Sequence, residues 1–166
     1  TTDSGGGGTT SAPTGGGDST PTVAAESSVT GRRISAGGEH TCAIKTDGTV
    51  KCWGQDAGGQ STVPLDLGTV TNISTGRFHT CAVKIDGLAQ CWGFGTFGQT
   101  AVPSDLGMVS SISAGGNHTC AIKTDGTVKC WGANVSSWVG ITFGQSTVPA
   151  DLGTVTSISS GDEHTC

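Results

Sequence analysis

The chain has 166 residues, of which 29 are glycine and only 13% are charged, with a formal net charge of −5 and a pI near 5.1. That balance excludes a basic nucleic-acid groove, and no apolar run reaches the roughly 20 residues that a helical membrane span requires. Few helix formers and many turn formers predict strands and turns.

Residues 1–28 are Gly, Ser, Thr and Pro without apolar periodicity, which reads as a flexible linker or an O-glycosylated stalk. With Thr1 at its start and Met108 its one methionine, the sequence reads as a processed product or a fragment.

From residue 29 to residue 166 the sequence repeats. A Gly-x-x-His-Thr-Cys string returns at His40, His79, His118 and His164, spaced by 39, 39 and 46 residues. The units run over about 31–69, 70–108, 109–154 and a partial 155–166. A period of this length means one supersecondary element per unit, stacked on its neighbours to bury a shared apolar face.

Within a unit the first predicted element is a strand, around Val70 to Ser74, Val109 to Ser113 and Val155 to Ser159, with Gly31 standing where the other copies have Val. A hairpin follows. Apolar and polar residues alternate on both sides of Thr46-Asp47-Gly48, as expected for two strands joined by a tight loop with Gly in a left-handed conformation. Pairing Lys45 with Thr49 and counting outward sets Cys42 opposite Cys52, and likewise Cys81 opposite Cys91 and Cys120 opposite Cys130, each pair a cross-strand disulfide. Trp53, Trp92 and Trp131, each followed by Gly, close the hairpins and are expected in the core between sheets. The connection Gly-Gln-x-x-Val-Pro-x-Asp-Leu-Gly then leads to the next unit, its Pro64, Pro103 and Pro149 unfit for a central ladder.

These strings resemble the repeats of the regulator of chromosome condensation superfamily, over residues 31 to 166. The 39-residue copy and the Gly-Gln-Ser-Thr-Val-Pro string are most similar to its secreted bacterial branch, typified by the propeller-type β-lactamase inhibitory protein. The resemblance implies an all-β, disulfide-stapled β-propeller-like array, here three complete blades plus the start of a fourth. A closed ring of that kind holds about seven blades, so either more polypeptide follows or copies dock head to tail. The family's nuclear founder acts in nucleotide exchange on a small GTPase, but none of the loops responsible is matched here.

Three identically spaced cysteine pairs point to an oxidising, extracellular or cell-surface location. Cys166 is left over, with a partner ten positions further on or in a second chain. A zinc site built on His40, Cys42 and Cys52 is disfavoured, because His40 and Cys42 share a face only in a strand where the cysteines already face each other. The recurring His is expected to bond a neighbouring blade or the backbone, and the recurring Asp47, Asp86 and Asp125 to serve turns. No calcium loop, nucleophile set, metal or cofactor is expected.

Two features break the repeat. The third copy carries seven extra residues in the stretch 133–143, among them Trp138, Val139 and Ile141, which with Phe94 and Phe97 make candidate binding-surface residues. The same insertion would also serve to cover an exposed blade. Three sequons, at Asn72, Asn117 and Asn134, are glycosylation candidates, Asn134 on the insertion foremost. The sequence thus predicts a non-catalytic extracellular module that binds protein or glycan, or alternatively a glycosylated fibre protomer that binds other copies of itself.

Overall fold

The computed structural model describes residues 34–134, 142 and 144–166. The proposed linker 1–28 and Gly31 lie outside the described residues. Nine strands are found among them, grouped into three antiparallel three-stranded sheets in sequential order. The first holds β1 (Ile34–Ala36), β2 (His40–Ile44) and β3 (Val50–Gly54). The second holds β4 (Val70–Thr75), β5 (His79–Lys84) and β6 (Ala89–Gly93). The third holds β7 (Val109–Ala114), β8 (His118–Lys123) and β9 (Val128–Gly132). The architecture is that of stacked propeller blades.

Local chemistry sets the hairpin register. Gly48, Gly87 and Gly126 have φ near +80°, which a residue with a Cβ resists, so each tip turns at the same place. Lys45 N–H donates to the Thr49 carbonyl at 2.8 Å, and Asp47 Oδ1 accepts the Thr49 N–H at 2.9 Å. Cys42 therefore pairs with Cys52, Cys81 with Cys91 and Cys120 with Cys130, with Cα atoms 4.0–4.1 Å apart, and all three pairs are disulfides.

Successive sheets pack face to face. Cys42, Ile44 and Cys52 of the first sheet meet Leu67, Val70, Ile73, Ala82 and Trp92 from the connection and the second sheet. One unit on, Cys81 and Val83 meet Leu106, Val109, Ile112, Ala121 and Trp131. The innermost strands β1, β4 and β7 adjoin in turn. Ser35, Ser74 and Ser113 link them, each hydroxyl accepting a backbone N–H from the next unit at 2.8–3.0 Å.

Two expectations need correction. The strand anticipated at Val155 to Ser159 does not form, because a strand needs a ladder: Val155 N–H reaches only the Gly126 carbonyl at the preceding hairpin tip, and Ser159 and Ser160 alone pair with a neighbouring segment. Ser159 exchanges both backbone hydrogen bonds with Cys166, at 2.9 and 2.8 Å, which continues the Ser74–Cys81 and Ser113–Cys120 register. Trp53, expected in the core, is 49% exposed, whereas Trp92 and Trp131 are buried. The difference is contact: each buried indole packs against the preceding unit's connection, and Trp53 has no such unit among the described residues.

Candidate functional site

The recurring histidines are built into the seams between blades. His40 Nε2 lies 2.7 Å from Thr80 Oγ1, His79 Nε2 2.9 Å from Thr119 Oγ1, and His118 Nε2 2.9 Å from Thr165 Oγ1, always one unit ahead. Thr80 and Thr119 in turn donate their hydroxyl protons to the carbonyls of Gln60 and Gln99, each at 2.9 Å, and Thr165 to that of Gln145 at 3.2 Å. A threonine hydroxyl has one proton, so the imidazole must donate from Nε2. The same glutamine carbonyls also accept the Trp92 and Trp131 indole N–H groups, at 3.1 and 3.0 Å. Every seam is therefore a relay of histidine, threonine, backbone carbonyl and, where a full hairpin follows, tryptophan.

This arrangement leaves the Nδ1 atoms of His40, His79 and His118 buried without a hydrogen-bond partner among the described residues. A Cβ on Gly76 would run into the Gly115 carbonyl oxygen of the next unit and stand 2.7 Å from His79 Nδ1, and these two close approaches are why the motif begins with glycine. Burial, with repulsion from His118 and His40, pushes the His79 imidazole down to about 3. Burial lowers His40 and His118 too. These neutral imidazoles are structural donors.

A Thr119→Val substitution keeps the shape and removes both of the hydroxyl's bonds, leaving the buried His79 N–H unsatisfied. The expected loss is about 1–2 kcal/mol of stability by denaturant titration. Thr41→Val, at the same repeat position but half-buried on the outer face of the first sheet, should cost far less. Equal losses at the two positions would refute the relay.

The turns before β2, β5 and β8 and the loops after β3, β6 and β9 share one end of the sheets. On this loop face Gln55, Gly58 and Gln60 line a shallow cleft of about 290 Å³ with Phe78 and Phe94. Phe94 meets Phe78 edge to face at 6.4 Å, Arg77 lies 5.2 Å over the Phe78 ring, and Phe94 and Phe97 are about 40% exposed. Gln60 is buried and satisfied, its Oε1 accepting the Gly58 N–H and its Nε2 donating to Gln55. In the next unit Phe94 occupies the place of Gln55, and the buried Gln99 Nε2 is left without a partner among the described residues.

The insertion residues Trp138, Val139 and Ile141 lie outside the described residues, although Asn134 and Gly144 flank the stretch on the loop face. Asn134 clamps this loop, its Nδ2 donating to Thr147 Oγ1 at 2.9 Å and its Oδ1 accepting the Ser146 N–H at 3.1 Å. Asn117 is half-buried, next to the buried His118 and Thr119. Asn72 is buried in β4, with its Oδ1 without a partner among the described residues. Cys166 is exposed and unpaired, and lines an apolar groove of about 370 Å³ with Leu152, Val155 and Ile158. The equivalent space in the first two seams is filled by Ala82 and Trp92, and by Ala121 and Trp131.

Among the described residues no three of His, Cys, Asp and Glu are grouped to hold a metal, and no helix is long and apolar enough to cross a membrane. The threonine and glutamine positions of the relay were not singled out from the sequence. Their recurrence at fixed offsets was the available signal.

The regulator of chromosome condensation (RCC1) repeat model matches residues 32–60, 70–99 and 109–137. No curated protein sequence matches the chain. Among solved structures, it is similar to the entire ectodomain of the Physcomitrella patens receptor kinase CR4, with 28% identity and a TM-score of 0.59 over 78% of this chain and 32% of that one. The CRINKLY WD40 ectodomain of the Arabidopsis thaliana receptor kinase ACR4 matches with 25% identity and a TM-score of 0.59, over 80% of this chain and 44% of that one. Prp20p from Saccharomyces cerevisiae shares the fold at 19% identity and a TM-score of 0.62, over 80% of this chain and 41% of that one. The chain thus spans less than half the length of each.

Proposed function

The chain belongs to the regulator of chromosome condensation (RCC1) repeat family, and from that premise we propose that it is a non-catalytic binding module of the extracellular space or cell surface. Three disulfides in the described blades favour an oxidising compartment, as does the similarity to two receptor-kinase ectodomains. The observation that carries the binding reading is the half-exposed Phe94, which lines the cleft with Gln55 and Phe78, with Phe97 equally exposed three residues further along the same loop. Aromatic faces next to amide groups suit a protein loop or a glycan, which presents apolar C–H faces and hydroxyls together. Three of the four repeated imidazoles, those of His40, His79 and His118, are each engaged in a seam as structural donors, which favours a binding role over acid–base chemistry.

Probing a printed oligosaccharide array and a panel of immobilised extracellular proteins with the natural chain and with a Phe94→Ser, Phe97→Ser variant tests this reading. Signals kept by the natural chain and lost by the variant are the expected result; identical profiles would remove it. A second reading, a fibre protomer, draws on the one-directional packing of the units, in which each histidine bonds the threonine of the unit ahead, a heterologous contact that can repeat between chains. Electron microscopy separates the two, with isolated particles expected for the module and regular filaments for the protomer. Intact mass before and after deglycosylation decides whether the sequons at Asn72, Asn117 and Asn134 carry sugar.

A further inference from the structure

At the other end of the sheets, on the hairpin-tip face, the second unit departs from its siblings. The first unit carries Thr46, Thr49 and Thr69 there, and the third carries Thr124, Thr127 and Thr154; the second carries Ile85, Leu88 and Met108 in the same three places. The connection that enters the second unit adds Leu65, where later connections have Ser104 and Ala150. All four apolar side chains are exposed, from 49% at Leu88 to 107% at Leu65.

They gather on one blade. Ile85 N–H donates to the Thr69 carbonyl at 3.1 Å on one side of the tip, and on the other Met108 lies over Gly87, where a Cβ would meet its Cε at 2.9 Å. Asp66 Oδ1 accepts from Gln90 Nε2 at 3.2 Å, which holds the Leu65 connection alongside β6. A cluster of this kind on a soluble surface marks a contact site more often than chance decoration.

Charge around the cluster also differs. Lys45 pairs with Asp47 at 3.2 Å, Lys123 with Asp125 at 3.8 Å and Lys129 with Asp105 at 2.6 Å. In the second unit Asp86 forms no such pair among the described residues, and Asp66 faces Gln90, which stands where the other units have Lys51 and Lys129. Asp66 and Asp86, with Lys84 the one cation of this hairpin and in no ion pair with either among the described residues, thus rim four exposed apolar groups. Carboxylates outnumber cations at this rim, which favours a cationic flank on the partner and disfavours an anionic lipid surface.

We propose that the hairpin-tip face of the second unit docks a protein segment presenting apolar side chains flanked by lysine or arginine. The surface lies away from the Phe94 cleft and does not depend on ligand binding there. Three synthetic peptides serve as probes: one of leucine and lysine, one of leucine and glutamate, one of serine and lysine, each read by fluorescence anisotropy against the natural chain. The leucine–lysine peptide should bind about tenfold or more tighter than the other two. Its affinity should fall about tenfold in an Ile85→Thr, Leu88→Thr, Met108→Thr variant, which holds only residues its siblings carry at those places. Gln90→Lys, which gives Asp66 a partner, should weaken binding mainly at low salt. Absence of binding, equal binding of the three peptides, or unchanged affinity in the threonine variant overturns the proposal. So does self-association of the natural chain, seen by sedimentation and abolished in that variant, which would assign the patch to a contact between copies.

Discussion

Lowering the pH from about 7.5 to about 4 should remove about 3 kcal/mol of folding stability through His79 alone. In the folded protein this imidazole stays neutral down to about pH 3, whereas in the unfolded chain it titrates near 6.5. Above about pH 6.5 neither state binds the proton, and the contribution is complete. As pH falls from there toward about 3, the unfolded chain takes up a proton that the folded one refuses, and stability declines by about 1.4 kcal/mol per pH unit. The physical reason is in the seam: a proton on Nδ1 would place a charge against the backbone at Gly76, with no acceptor, in a site closed to water. His40 and His118 are lowered in the same direction and steepen the decline. The carboxylates held low by threonine hydroxyls, Asp47 at about 2 among them, act below about pH 4 and leave the upper part of the window to the histidines. Urea titrations at several pH values measure the loss, and the NMR titration of the His79 ring assigns it. A midpoint independent of pH between about 7.5 and 5, or a His79 ring that titrates near 6.5 in the folded protein, would contradict this account of the seam.

What the sequence reveals and what it hides divide along one line, the boundary between contacts inside a unit and contacts between units. The hairpin was legible because its information is local: Asp-Gly fixes the tip, and counting outward from Lys45 and Thr49 reaches Cys42 and Cys52 without knowledge of any neighbour. The seams were not, because which threonine meets which histidine depends on how far one sheet is shifted and rotated against the next. His79 and Thr119 are 40 residues apart, and nothing local pairs them. Trp53 illustrates the same limit. Its sequence context matches that of Trp92 and Trp131, and only the presence or absence of a preceding connection decides whether the indole is buried. Val155 to Ser159 has the pattern of β4 and β7, yet pattern supplies only half of a ladder. At the candidate binding surfaces, Phe94 and Phe97 stood out by type, whereas Ile85, Leu88 and Met108 emerge only when each is compared with the threonines of its sibling units on a face the fold defines.

Replacing Cys81 and Cys91 together by alanine should cost about 3 kcal/mol, the largest loss from any one bridge-sized change within a blade. The bridge spans 10 residues of sequence between directly opposed strand positions, so in the chain-entropy account it removes open conformations from the unfolded hairpin. Packing adds to the loss, because Cys81 is wholly buried among Leu106, Val109, Ile112 and Trp131, and two alanines leave part of that space empty. The bridge also touches the relay: the Cys81 sulfur lies 3.8 Å from Thr119 Oγ1, as Cys42 does from Thr80, so the sulfur helps to place the hydroxyl that receives the His79 proton. Loss of the bridge and Thr119→Val should therefore be non-additive, with a coupling of about 0.5 kcal/mol or more in a double-mutant cycle. Since blades stabilise one another through their seams, the damage should spread beyond the second sheet, with hydrogen exchange rising in β2 and β8 as well as in β5. Denaturation with and without a thiol reductant gives the same comparison on the unaltered chain. A reduced protein as stable as the oxidised one, or strictly additive losses in the cycle, would mean that the sheets hold their register without covalent help and would weaken the case for an oxidising compartment.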